Sequence, residues 1–264
     1  MISSYRQLLS FVGLIGLCGV VFSISPLTAL PTSIFPGQSP APSPTEAQLK
    51  AAYAEAVRFA SKDRHPTEIV TTLTAISETN TSLMWQGPPG HKKVLVATWV
   101  GFDEFDSRVG QTIQTRELWV TVVPELQRFC RTHPGGRPSS LRIKQLLGLP
   151  PDYHVTKFVE VWVSPNDLFR PSPDPEITDR QAEITLEHTI RTRQISCDHF
   201  DWFTRNLRGM YQTPNGPGFP WTRLGYTHDW GNPHNHIGLS EFVVRKGASV
   251  EVHRVVPTDS YIQQ

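Results

Sequence analysis

Two short stretches, residues 94–100 (VLVATWV) and 118–123 (LWVTVV), are apolar at almost every position. A half-buried strand alternates, whereas a strand covered on both faces does not. Both runs therefore read as central strands of a sheet with layers on each side. Residues 158–163 (FVEVWV) and 182–190 (AEITLEHTI) alternate more clearly and read as further strands, as does the Thr-rich segment 69–76. Residues 239–244 and 249–256 flank Arg245-Lys246-Gly247-Ala248, which predicts a terminal hairpin with Gly247 in the turn.

Helices fill the spaces between. Ser43-Pro44-Thr45-Glu46 fits a capping box, with Ser43 as N-cap and Pro44 at the first helical position. Leu49, Ala52, Tyr53, Ala56 and Ala60 then form one apolar stripe, and Pro66 closes the segment. Residues 124–131, 141–147 and 198–208 are predicted as shorter helices, the last with Phe200, Phe203 and Leu207 on its buried face. With 23 Pro and 18 Gly, long helices are few and loops are many. The expectation is an α+β fold: one domain, a mostly antiparallel sheet, a few short helices and long Pro/Gly-rich loops. Residues 44–264 form that domain, and 13 Phe, 7 Trp and 6 Tyr give it enough apolar area to make a core.

Ahead of the domain, Arg6 precedes an apolar run over residues 8–24. A basic start followed by an apolar stretch is the pattern of a secretory signal. Residues 1–29 are expected to be a signal peptide, or alternatively a retained N-terminal membrane anchor through residues 8–24. Residues 30–43 are a Pro-rich tether, semi-rigid because proline fixes φ. The expected location is therefore exported, periplasmic or extracellular, with the membrane touched only through an uncleaved N-terminal segment. Charge is balanced, 25 Lys+Arg against 24 Asp+Glu, so the basic footprint of a nucleic-acid binder is missing and no nucleic acid is expected as partner. Cys130 and Cys197, the two cysteines outside the apolar run, are candidates for a disulfide in an oxidising compartment.

The densest group of reactive side chains lies in GYTHDWGNPHNHIGLSE, residues 225–241. His228, Asp229, His234 and His236 are borderline ligands for a divalent metal such as zinc, and Glu241 or Glu176 could act as a base beside metal-bound water. A second group, DLFRPSPDPE over residues 167–176, places Arg170 among Asp167, Asp174 and Glu176. It reads as a rigid loop locked by Arg–carboxylate pairs. Trp221 and Trp230 sit in a Gly/Pro-rich stretch where aromatics can line a cleft. No G-x-S-x-G elbow, Walker loop or GxGxxG is present.

The phrases LWVTVVPEL, LRIKQLLGLPP, FVEVWVSPNDLFRPSPDPEITD and PWTRLGYTHDWGNP together resemble a group of exported bacterial proteins with no assigned activity. That resemblance implies export and a shared fold, and no mechanism. A fainter likeness, to secreted NAD-consuming toxin domains, would give Glu241 the part of their late glutamate. The leading expectation is an exported envelope or extracellular binding module for a cell-envelope ligand. The alternatives are a metal-dependent hydrolase built on the four-residue cluster, and a toxin-like transferase with Glu241 at the floor of a cleft facing a buried arginine.

Overall fold

A computed structural model describes residues 43–186 and 195–264. The signal or anchor, most of the tether, and residues 187–190 of one expected strand lie outside the described residues. Residues 44–264 make one compact unit with a mostly antiparallel sheet and five described helices. None of these helices is long and apolar enough to cross a membrane.

Among the described residues the sheet has eight strands. Strand β1 is Trp85–Gln86, β2 Lys93–Val100, β3 Thr112–Gln114, β4 Leu118–Val122, β5 Lys157–Val163 and β6 Leu168–Phe169. Near the C-terminus follow β11, Phe242–Val244, and β12, Ser249–Pro257. Four more short strands lie between them: β7 (Gln212–Thr213) with β8 (Gly216–Pro217), and β9 (Tyr226–His228) with β10 (Ile237–Ser240), form two separate ribbons. The main order is β3-β12-β5-β2-β4-β11-β6, with β1 added on β2.

Connection lengths show that this sheet cannot be flat. Gln114 and Leu118 are four Cα steps apart, at most about 15 Å. Yet β3 and β4 stand four strand spacings apart in the order, about 19 Å across a flat sheet. The sheet is therefore rolled. Hydrogen bonds carry the β3–β12 ladder on into the connections that follow β3 and precede β12: Gly247 N–H donates to the Thr115 carbonyl (2.7 Å) and Thr115 N–H to the Ala248 carbonyl (3.0 Å). Inside the roll lie Val94, Val96, Val120, Val122, Val159, Val161, Phe242, Val244, Val250 and Val252, all buried. The alternate residues of β2, β4 and β5 point outward and are mostly covered in turn, whereas Ser249 and His253 of β12 are exposed. Both faces being apolar is what the runs at 94–100 and 118–123 required.

The outer cover comes from helices. Helix α1 is Glu46–Ser61, α2 Val123–Thr132, α3 Ser140–Leu146, α4 Cys197–Gly209 and α5 Thr258–Ile262. Leu126 and Cys130 of α2, Ile143 and Leu146 of α3, and Tyr261 and Ile262 of α5 pack with Trp99 and Phe158 from the sheet. Trp202 and Phe203 of α4 pack with Phe169, Val243 and Trp221.

Several local expectations are corrected. Helix α1 is capped by Thr45, not Ser43. Its side chain accepts from Gln48 N–H (3.3 Å), and the Gln48 side chain answers the Thr45 N–H (2.8 Å). Strands β11 and β12 are not a hairpin: β11 pairs with β4 and β6, β12 with β3 and β5. Gly247 does supply the turn, at φ +82°, but β4, β2 and β5 stand between the two strands in the sheet order. Segment 69–76 is not a strand. It is held by isolated bonds, Leu73 N–H to Arg180 O (3.0 Å) and Ile76 N–H to Ile177 O (2.7 Å). Residues 182–185 are likewise irregular. On α4 the buried face is His199, Trp202 and Phe203, while Phe200 and Leu207 are exposed.

The ribbon of β9 and β10 fits closely against α3. A Cβ on Gly238 would fall 2.6 Å from both the Leu146 and Thr227 carbonyls, inside contact distance of backbone that cannot yield. Gly238→Ala is expected to destabilise the domain by about 1–3 kcal/mol, the range for overpacking. Urea denaturation measures this, and a loss below about 0.5 kcal/mol would show that the ribbon is free to move off α3.

Candidate functional site

Strands β2 and β4 meet at only two rungs, Val96↔Val122 and Ala97↔Thr121. Beyond these the strands part. Thr98, Trp99 and Val100 on one side, and Leu118, Trp119 and Val120 on the other, have no rungs between them. On their far edges the same residues stay paired, β2 with β5 and β4 with β11. A cavity of about 360 Å³ fills the gap, and all six of these residues line it. That volume is in the range of small-ligand sites.

Aromatic rings close the cavity. Tyr153, Phe219 and Trp221 come from loops, Trp99, Trp119 and Phe158 from the sheet. Tyr211, beside them, donates its hydroxyl to the Trp221 carbonyl (2.8 Å), and Trp221 Nε1 donates to the Pro171 carbonyl (2.8 Å). Trp221 is edge-on to both Trp119 and Trp202. Its ring is therefore both core and cleft wall.

The charged groups of the lining differ in their pairing. Arg116 is bound to Glu104 (2.6 Å) and lies over the Phe102 ring. Glu117 accepts from Trp202 Nε1 (2.7 Å). Glu241 has neither a hydrogen bond nor an ion pair to its side chain among the described residues. Its place is fixed by its backbone, whose N–H donates to the Gly225 carbonyl (2.9 Å), and by the start of β11 directly after it. Burial alone pushes the Glu241 carboxyl up to about 8. His228 also lines the cavity, and burial, with His236 and Arg64 nearby, pushes it down to about 4. At neutral pH the free cleft thus presents a protonated acid and a neutral imidazole.

This gives a pH dependence of definite sign. The Glu241 carboxyl binds its proton more tightly folded than unfolded, so it stabilises the fold below about 4.5. That contribution is lost as pH rises through about 8. Glu241→Gln should therefore match the parent near pH 4.5 and exceed it in stability at pH 8.5. Solvent reaching the carboxyl through the cavity keeps the gap to roughly 1–3 kcal/mol. Thermal unfolding of both proteins across this range is the check, and a gap that stays constant with pH would contradict the burial of the charge.

The four-residue cluster does not come together as a metal site. Asp229 is clasped by Arg142 of α3 through two bonds, 2.8 and 2.5 Å, and is itself buried. His228 and His236 stack ring on ring, centroids 5.1 Å apart, against Phe59 of α1. His234 lies exposed in the Asn232–Asn235 turn. Among the described residues no three His, Cys, Asp or Glu side chains are placed to hold an ion. The expected disulfide is also absent: Cys130 is buried under α2 while Cys197 is exposed at the start of α4, and both are free.

The Arg170 loop does hold an Arg–carboxylate pair, with a different partner from those expected. Arg170 is fully buried and binds Asp179 (2.6 Å) together with the Gln181 and Asp179 carbonyls. Glu176 accepts from the Thr178 and Asp179 N–H groups within its own turn, away from Glu241's cavity. Burial, with Glu183 beside it, pushes Asp174 up to about 7. Trp230 donates Nε1 to the Leu149 carbonyl (3.0 Å) and packs edge-on against Tyr53, outside the cavity lining. No arginine is paired with Glu241, so the buried arginine that a toxin-like site would need does not face it among the described residues.

Compared with known protein families, curated proteins and solved structures, the chain shows no match.

Proposed function

We propose that this chain is an exported ligand-binding domain and that the gap between β2 and β4 is its ligand site. One observation carries the reading: an acidic side chain, Glu241, without a partner among the described residues faces a cavity walled by Trp, Tyr and Phe. A partly buried polar group left without a protein partner is costly, and an arriving ligand that pairs with it recovers part of that cost. The rings supply apolar faces for a ring-bearing or aliphatic body. The apolar N-terminal run and the Pro-rich tether support export of the domain.

The test is a fragment screen followed by NMR on the indole signals of Trp119 and Trp221. Compounds should bind at the cleft, and Met210→Trp, which adds bulk to its wall, should abolish their binding while leaving the fold intact. If no compound shifts these indoles, or if the hits survive the Met210→Trp plug, the cleft is not the site. Fractionation of the native host with N-terminal mass analysis tests export, and a full-length, cytoplasmic chain would overturn that part.

A further inference from the structure

Building on the cleft as ligand site, we propose that it takes the amino-terminal end of a short peptide, its ammonium group at Glu241 and its backbone along the parted edges of β2 and β4. Three independent observations support this.

The first is the gap itself. Where strands separate, alternate backbone N–H and C=O groups on each facing edge lose their ladder partners. Residues 98–100 and 118–120 turn such edges toward the cavity, and no described strand pairs with them there. An extended chain is the ligand whose own backbone supplies the missing donors and acceptors, as in strand addition to an open edge.

The second is the position of Glu241. Phe242 is opposite Val120, so Glu241 stands at the level of Thr121, the last rung before the strands part. The acid is therefore at the closed end of the gap. A chain entering from the open end places its terminus, not its middle, against Glu241.

The third is charge and size. Arg116 and Glu117 are already engaged and His228 is neutral, so among the described residues the group left without a partner at the closed end is the Glu241 carboxyl, whose ionised form an arriving cation would favour. An ammonium is its complement, and the surrounding rings favour a cation further. A cavity of about 360 Å³ is at the small end of ligand sites, which suits a chain end.

The test uses the whole domain and calorimetric titration with three probes. Alanyl-phenylalanine amide carries the free ammonium. Its N-acetyl derivative keeps the backbone and loses the charge. Phenethylamine keeps the charge and loses the backbone. The dipeptide amide should bind at least tenfold more tightly than either comparator, and Glu241→Gln should erase its advantage over the acetylated form. Its affinity should also rise with pH from 6 to about 8 as Glu241 gives up its proton, and fall above that as the probe's own ammonium is lost; Arg116, Glu117, His228 and Tyr153 are the other ionisable side chains of the wall.

Equal binding of the acetylated probe would remove the ammonium from the proposal, and equal binding of phenethylamine would remove the backbone. Either result overturns it. If the fragment screen yields cleft binders and the dipeptide does not bind, this proposal falls and the ligand-site reading stands. If neither binds, both fall.

Discussion

Phe158→Ala should lower the unfolding free energy by about 3–5 kcal/mol, the range for removing a buried aromatic ring. Phe158 is 1% exposed and stands in β5, the strand between β2 and β12. Its ring stacks on Trp99 of β2 at 4.9 Å and on Tyr261 of α5 at 4.3 Å. The substitution therefore removes the middle of a three-ring stack that joins sheet to helix, and it opens the cleft wall from behind. Phe158→Leu keeps most of the volume and should cost much less, about 1.5 kcal/mol or below. Urea denaturation followed by Trp fluorescence reads both. A loss under about 1.5 kcal/mol for the alanine variant would mean that the stack collapses onto the space and is not a keystone.

Arg254→Met is the second large effect, expected at about 3 kcal/mol or more. Arg254 and Glu160 are direct cross-strand partners on β12 and β5, joined by two bonds of 2.5 and 2.8 Å. Glu160 is fully buried, whereas a third of the Arg254 side chain reaches solvent. Removing the arginine strands a carboxylate where water cannot replace its partner. The companion Glu160→Gln/Arg254→Met should recover much of the loss, because the uncompensated charge is then gone. If the single variant is nearly neutral, or the double is no better than the single, the pair is not the origin of the effect.

What the sequence discloses here divides by range. The runs at 94–100, 118–123 and 158–163 are legible because two-sided burial leaves a local mark, one apolar residue after another. Gly247 is legible as a turn because its conformation is its own property. The partners of the strands it joins are not, since β4, β2 and β5 come between β11 and β12 in the order. Asp229 shows the same limit. Beside three histidines it looks like a ligand, yet Arg142, 87 residues earlier, claims it. Glu241 is visible only as an acid near histidines. What singles it out is three missing rungs between strands some twenty residues apart, and no residue of either strand announces their separation. Trp119 likewise reads as core, and only the parting of the strands turns it toward a cavity.

The opening between β2 and β4 also bears on how this molecule avoids its neighbours. An unpaired strand edge at the rim of a sheet invites another copy to add a strand, and through it aggregation. Here the open edges are interior, three residues long, and sealed at one end by the Ala97–Thr121 rung. A strand added from a second molecule would meet that rung after three residues. The protein can keep backbone groups available for recognition without exposing a template for fibre growth.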